Sequence, residues 1–345
     1  MGGDPLTVYQ MPLAELQGFN ELKQVEERLQ EICHGDDNWT PLFSCCVTQG
    51  GKRLRPALVV LCGSFLSAPR DELVDVATAA ELIHNASLVH DDVVDRAQTR
   101  RGMPTLSASW GEHQAVLYGD FLFARAFSLL TRYDRAETVE NMTKAISLMC
   151  EGEITQLARR FDYTLTEADY FTYIYKKTAY FLSACCLAGA GVCRLPSPQR
   201  RLLANFGLQL GYAFQVTDDL LDFCGTAAAI GKPVFHDLTE GCITLPVIRL
   251  LQQPLYGPAV RRIIERREFN TENIGFIRSS LEESGILAEV RGKAKSLIFR
   301  AKRNLTLLPN RLSRSILARL ADHMLQRATV KGHRSGVKQG RRDAD

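Results

Sequence analysis

Apolar residues recur at helical spacing over most of this chain. Across 13–33 (LAELQGFNELKQVEERLQEIC) Leu, Val and Ile repeat every three to four positions, which predicts a helix. The same period predicts helices over 56–66, 71–95, 112–131, 136–160, 167–190, 198–224 and 240–252. The C-terminal part adds 258–267, 271–284, 286–307 and 311–328. Gly50-Gly51, Pro69, Gly102 with Pro104, Pro196 with Pro198, Gly231 with Pro233, Pro254 and Pro309 punctuate the joints. No run alternates in strand fashion, and no repeat of about 20–50 residues suggests a solenoid. ALVVLCGSFL and LSACCLAGAGV are apolar nearly all round, so they belong at the centre. No linker divides the chain. The predicted fold is all-α: a single large helical bundle over residues 1–328, with long inner helices around a central cavity.

Charge changes the picture at the C-terminus. The net charge of +3 conceals 20 Lys+Arg against 9 Asp+Glu in residues 261–345. The last stretch, 329–345, is basic, Gly-rich and free of aromatics, and is expected to be a disordered tail. A solvated tail is the plain reading; contact with an anionic membrane surface or with nucleic acid is the sharper one. The hydrophobic fraction of 46% fits a globular protein, and no apolar stretch is long enough to span a bilayer. MGGDPLTVYQMP has neither a secretory h-region nor the myristoylation pattern. The ten cysteines include no C-x-x-C and mostly sit in apolar runs, which suits reduced, buried thiols in a cytoplasmic setting.

The chemistry begins with two acidic clusters of one form. Asp91-Asp92-Val93-Val94-Asp95 and Asp218-Asp219-Leu220-Leu221-Asp222 are each D-D-x-x-D, and each closes an apolar helical run. Carboxylates at i and i+4 share a helix face, and like charges there repel unless a cation joins them. A few hard oxygen donors suit Mg²⁺, which keeps its waters and takes further ligands from substrate phosphates. Two facing acidic helices that hold a diphosphate through magnesium is therefore the reading. His84 lies seven residues before Asp91, near the same face. Arg100 and Arg101 follow at a Gly/Pro turn, and arginine forks match phosphate oxygens.

Further cations stand at other joints. Lys52 and Arg55, in GGKRLRP, are three apart at a helix start, where the glycines permit close approach of a ligand. The segment is a second phosphate pocket or simply a basic helix start; it is no Walker A loop. Lys177 and Thr178 open an apolar helix, Gln215 lies one turn before Asp218, and Lys232 sits on the loop after the second cluster. No G-x-S-x-G, H-E-x-x-H or locatable Cys–His pair marks a nucleophile. Metal, phosphate ligands and an apolar interior suit a reaction that expels diphosphate while the bundle holds an apolar substrate.

With these motifs in order, residues 20–325 closely resemble the trans-isoprenyl diphosphate synthases, the polyprenyl synthetases. The likeness rests on GGKRLRP (50–56), ELIHNASLVHDDVVD (81–95), RRGMPT (100–105), GDFLFARAF (119–127), KTA (177–179), FQVTDDLLD (214–222) and GKPVFHDLTEGCITLP (231–246). The resemblance implies an isoprenoid-synthase-like bundle and a dimer, of which a homodimer is the simpler form. It implies that Lys52, Arg55, His84 and Arg101 hold isopentenyl diphosphate. Asp91, Asp92, Asp95, Asp218, Asp219 and Asp222 would hold Mg²⁺ on an allylic diphosphate, which Arg100, Lys177, Thr178, Gln215 and Lys232 would contact. The implied reaction draws off the allylic diphosphate, lets the isopentenyl double bond attack the carbocation, and loses a proton to form a trans double bond. The family often has Gly where Phe235 stands and Lys where Cys242 stands, so one cation near the allylic diphosphate is missing here.

Product length follows from helix geometry. The growing chain should run back along the first aspartate helix, past Ser87 and Ala86, which are small, and then past Leu82/Ile83 and Ala79/Ala80. An extended isoprene unit is comparable to one helical turn of about 5.4 Å, so several units can pass. Phe123 and Phe127, one turn apart, are candidates for the floor and equally for core packing. A long-chain product of hexaprenyl to decaprenyl size, such as a quinone side chain, is the expectation. The rivals are a short-chain farnesyl or geranylgeranyl synthase, a terpene cyclase, a non-catalytic partner subunit and, on the tail alone, a nucleic-acid binder. GGKRLRP with His84 weighs against the cyclase, and six intact aspartates weigh against the partner subunit.

Overall fold

The computed structural model describes residues 16, 18–33, 53–100, 102–224 and 234–327. It is all-α apart from one tiny hairpin. The helices are α1 (Asn20–Cys33), α2 (Leu54–Gly63), α3 (Arg70–Val94), α4 (Leu106–Trp110), α5 (Glu112–Leu130) and α6 (Ala136–Ala158). They continue as α7 (Glu167–Ile174), α8 (Tyr180–Val192), α9 (Ser197–Cys224), α10 (His236–Thr239) and α11 (Leu245–Leu251). The last are α12 (Gly257–Arg266), α13 (Thr271–Glu283), α14 (Ile286–Thr306) and α15 (Leu312–Arg327). Among the described residues no helix is long and apolar enough to cross a membrane.

α3 is the centre of the bundle. Leu73, Val76, Ala79, Leu82, Ile83 and Ala86 are buried, and so, besides Asp92 in the last turn, are the acids Glu72, Asp75 and Glu81. Each acid has found a cation: Glu72 accepts from Arg135 at 2.6 Å, Glu81 from Arg53 at 2.9 Å, and Asp75 from Arg132 at 3.1 Å. Asp75 also accepts from Arg28 and from the Tyr133 hydroxyl. Removing one partner would strand a buried charge, at a loss of about 3–5 kcal/mol. α5 runs antiparallel to α3. A side chain on Gly119 would overlap the His90 ring at one end, while Tyr133 reaches Asp75 at the other.

Several predicted boundaries moved, each for a local reason. The predicted helix 56–66 starts at Leu54, because Pro56 falls in the first turn, where no backbone N–H is required. The predicted 240–252 begins only at Leu245: Gly241 is left-handed at φ 88°, and Thr244 and Pro246 make the helix start. The hairpin pairs Thr99 with Pro104 and Arg100 with Met103; two-residue strands are too short to alternate. The predicted 167–190 is broken by a π turn over Tyr175–Ala179. A Cβ on Gly152 of α6 would come to 3.2 Å from Lys176, and one on Gly211 of α9 to 2.5 Å from Ala179. The wide turn thus fits only because both neighbouring helices carry glycine there. Cys62, Cys185, Cys186 and Cys193 are free, buried thiols, whereas Cys150 is free and exposed. The tail, 329–345, lies outside the described residues.

Candidate active site

The first aspartate cluster sits where α3 ends. Asp91 and Asp92 occupy the last turn and Asp95 is its C-cap. The hairpin returns Arg100 to Asp92, where Nε lies 2.9 Å from both carboxylate oxygens and Nη2 lies 2.8 Å from Oδ1. Arg160, just past α6, stands 3.6 Å from Asp95. Burial pushes the Asp91 carboxyl up to about 6; Lys177 opposes the shift, Glu153 adds to it, Arg100 opposes it and Asp95 adds to it. This carboxyl is short of positive charge.

The second cluster occupies the last two turns of α9. Asp219 is buried, accepts from the Tyr170 hydroxyl, and accepts from Gln215 Nε2 at 2.9 Å. The Thr178 hydroxyl donates to Gln215 Oε1 at 2.8 Å, so Thr178, Gln215 and Asp219 form one chain. Burial pushes the Asp219 carboxyl up to about 8; Asp237 adds to this, the Tyr170 and Gln215 hydrogen bonds oppose it, and Asp218 adds again. Asp218 is exposed. Asp222 is buried and accepts from the His236 and Asp237 amides at 3.1 and 3.3 Å, which ties α10 to α9.

Lys177 projects from the π turn, a distortion that recurs at functional sites. Its ammonium donates to Glu153 at 2.7 Å and to Gln156 Oε1 at 2.9 Å. Burial works against that ammonium, but Tyr173, Glu153 and Asp91 outweigh it and hold it well above the ordinary lysine range. Gln156 also accepts from Tyr173 and donates to Cys242 Sγ at 2.7 Å. Cys242 is thus joined to Lys177 through a single amide.

Arg55 lies 5.1 Å from the Phe181 ring centroid, and its buried Nε has no hydrogen-bond partner among the described residues. An orphaned buried guanidinium donor is what an anion subsite requires. His84 is half-buried on α3, between Arg55's neighbour Glu81 and the aspartates. Lys52, Arg101 and Lys232 lie outside the described residues. Below Asp91, Ala86 and Ile83 are fully buried, and the Ser87 hydroxyl folds back on the His84 carbonyl at 2.8 Å. Phe123 lies 5.8 Å from His90 between ring centroids, and Phe123 and Phe127 both pack against the core. The antiparallel register puts Phe123 about level with Ala86 and Phe127 about level with Leu82.

A divalent cation fits the donor chemistry. All the cluster donors are carboxylate oxygens, and Asp91 and Asp219 are both under-neutralised by the protein's own cations. Among the described residues no three His, Cys, Asp or Glu side chains converge as a ready cage. That pattern suits Mg²⁺, which borrows ligands from substrate phosphates. Tyr170, Glu153, Gln156, Tyr173 and Arg160 belong to none of the sequence motifs. Only Glu153 and Gln156 left a trace, as a polar pair three apart on the apolar-striped helix α6.

Residues 38–279 match the polyprenyl synthetase family. Heptaprenyl diphosphate synthase component 2 of Geobacillus stearothermophilus is 36% identical over 258 residues, covering 73% of this chain and 80% of that protein. Octaprenyl diphosphate synthase of Escherichia coli is 34% identical over 81% of this chain and 87% of its own length. A short chain isoprenyl diphosphate synthase of Methanothermobacter thermautotrophicus is 33% identical over 81% of this chain and 88% of its own. Among solved structures, polyprenyl synthase from Caulobacter crescentus, complexed with calcium and isoprenyl diphosphate, superposes with a TM-score of 0.84 at 34% identity, covering 94% of this chain and 98% of that one.

Proposed function

The chain belongs to the polyprenyl synthetase family, trans-prenyltransferases that condense isoprenoid units into a polyprenyl diphosphate, and we propose that within it this protein is a Mg²⁺-dependent long-chain synthase. Its substrates are isopentenyl diphosphate and an allylic diphosphate, and its product is an all-trans chain of quinone side-chain size. The observation that carries the length is the small, fully buried Ala86 below the first aspartate cluster, with Ser87 beside it folded onto its own helix. The α3 residues one and two turns below Ala86 on the way to Asp75, Leu82, Ile83, Ala79 and Ala80, carry no ring.

The roles we assign draw on the geometry of the described residues and, for Lys52, Arg101 and Lys232, on the sequence motifs alone. Asp91, Asp92, Asp95, Asp218, Asp219 and Asp222 would hold Mg²⁺, which when bound neutralises diphosphate oxygens and stabilises the leaving group. Arg100 fixes Asp92, and the Tyr170–Gln215–Thr178 chain fixes Asp219, so the two carboxylate sets are held ready. Lys177 keeps its full charge at any working pH and faces Asp91, where the allylic diphosphate would lie. With Lys232 and Arg100 it offsets charge on the departing diphosphate. Arg55, with Lys52, Arg101 and His84, holds isopentenyl diphosphate, and the orphaned Arg55 Nε is the supporting feature. The buried wall of α3 keeps water from the carbocation, so the isopentenyl double bond is the nucleophile that reaches it.

The active form we infer is a homodimer, with Leu117 and Ile154 as exposed apolar side chains available for self-association. A cytoplasmic location is the matching proposal. The deciding experiment incubates purified protein with farnesyl diphosphate, radiolabelled isopentenyl diphosphate and Mg²⁺. Reversed-phase thin-layer analysis of the dephosphorylated products should give a ladder ending beyond geranylgeraniol. Farnesol or geranylgeraniol as the end product would establish the short-chain reading instead.

A further inference from the structure

Residues 290–321 contain nine Lys and Arg and no Asp or Glu. They form most of α14, the turn after it and the first part of α15. The inward stripe of α14, including Ala294, Leu297, Ile298, Ala301 and Leu305, is buried. Its outward stripe is basic and apolar together. Lys295, Ser296, Phe299, Arg300 and Arg303 line one shallow depression, and Leu307 continues the face one turn on. Phe299, Leu307 and Leu312 are 69%, 70% and 67% exposed. Two of its cations are taken by acids of neighbouring elements: Glu167 accepts from Lys293 and Asp322 from Lys302.

The position of the face identifies its partner. α14 begins beside the aspartates: Lys293 donates to Glu167 at 2.7 Å, and Arg291 bonds Cys224 at the end of α9. It then runs back along α9, so Leu307 lies about 21 Å further down the bundle. That is the end towards which a chain growing from Asp91 along α3 is directed. A surface that joins cations to protruding Phe and Leu suits an anionic bilayer, whose headgroups take the charges and whose acyl boundary takes the apolar tips. Nucleic acid would use the cations and leave the apolar tips in water.

We propose that the outer face of α14 and the α14–α15 turn, centred on Phe299, Arg300, Arg303, Leu307 and Leu312, docks this enzyme on an anionic membrane surface. The hydrocarbon end of the bundle then faces the phase in which a polyprenyl product dissolves. Only this benefit rests on the long-chain reading; the docking itself is measured without substrate.

The test is co-sedimentation of the full chain with phosphatidylcholine vesicles, with and without phosphatidylglycerol. Binding should require phosphatidylglycerol and fall with added salt. The variant Phe299→Ser/Arg300→Ser/Arg303→Ser should bind about 30-fold more weakly, from its two lost cations alone. Its thermal midpoint and its turnover in detergent should match the parent, because all three side chains are exposed. A second variant, Lys331→Ser/Arg334→Ser/Lys338→Ser, removes tail charge and should keep most of the binding. Parent-like binding by the α14 variant, or loss confined to the tail variant, would overturn the proposal. So would absence of vesicle binding, or binding to duplex DNA alone with the same residue dependence. Product length is read in a separate assay, so a short-chain result leaves this outcome standing.

Discussion

Ala86→Phe puts a ring where the structure has the least side chain. Ala86 is fully buried and lies five residues before Asp91, about 7.5 Å along the axis of α3. Asp75 lies sixteen residues before Asp91, about 24 Å away, and there Arg28, Arg132 and Tyr133 close the bundle with charge. With an isoprene unit comparable to a turn of about 5.4 Å, and about two units held at the aspartates themselves, the parent run below admits about four more units and the blocked run about one more. The variant's product should therefore fall to farnesyl or geranylgeranyl size. Overpacking should remove about 1–3 kcal/mol of stability, which a urea titration would register. The assay is the product ladder from farnesyl or dimethylallyl diphosphate with labelled isopentenyl diphosphate, together with the rate of the first condensation. That rate should survive, since the aspartates are a full turn away. Ala86→Leu should give an intermediate length, which guards against a variant that fails to fold. A folded Ala86→Phe protein with the parent ladder would refute the path along α3.

Four other outcomes are expected. Gln156→Leu removes the acceptor shared by Tyr173 and Lys177 and should lower kcat by about 10- to 100-fold, with KM for isopentenyl diphosphate unchanged; steady-state kinetics with each substrate varied will decide. Arg100→Lys replaces a fork on Asp92 with a point charge and should raise the Mg²⁺ concentration needed for half-maximal rate, so an unchanged metal titration would contradict the clamp. Phe235→Gly relieves a left-handed φ of 62°, at about 1–2 kcal/mol, but deletes a buried ring at about 3–5 kcal/mol; the variant should be less stable by about 1–4 kcal/mol in urea, and a gain would show the strain to dominate. The Cys242 thiol is pushed up to about 12 by burial, with Asp237 adding and Lys177, Gln156 and Arg160 opposing, so it stays protonated below that value. Iodoacetamide at pH 8 should therefore leave it unmodified in the folded protein and modify it in urea, as read by peptide mass mapping.

The helices and both acidic clusters were legible because each is a local pattern. Period and breakers locate α3 and α9, and D-D-x-x-D states its own spacing. The fine structure around them was not local. Nothing in YIYKKTAYF announces a π turn, since its cause lies in Gly152 and Gly211 on two other helices. Tyr170 reads as one more aromatic on an amphipathic helix until folding brings its hydroxyl to Asp219, 49 positions away. Arg100 is expected against substrate because of the turn it sits on; that the hairpin also closes it onto Asp92 is a long-range pairing no local pattern announces. Phe235 was visible as a departure from glycine, and the structure supplies the reason that glycine suits the position, a positive φ.

The charges around the two clusters explain why the reaction needs metal and diphosphate together. The cations nearest the carboxylates are already engaged: Arg100 with Asp92, Lys177 with Glu153, and Arg160 at 3.6 Å from Asp95. What remains is an acidic surplus in which Asp91 and Asp219 resist ionising. A diphosphate arriving alone adds negative charge to that surplus and is repelled. A divalent cation arriving alone relieves the carboxylates but lacks enough protein oxygens for a full shell, because no three acidic side chains converge among the described residues. Each ligand therefore supplies what the other lacks, and tight binding of either should depend on the other.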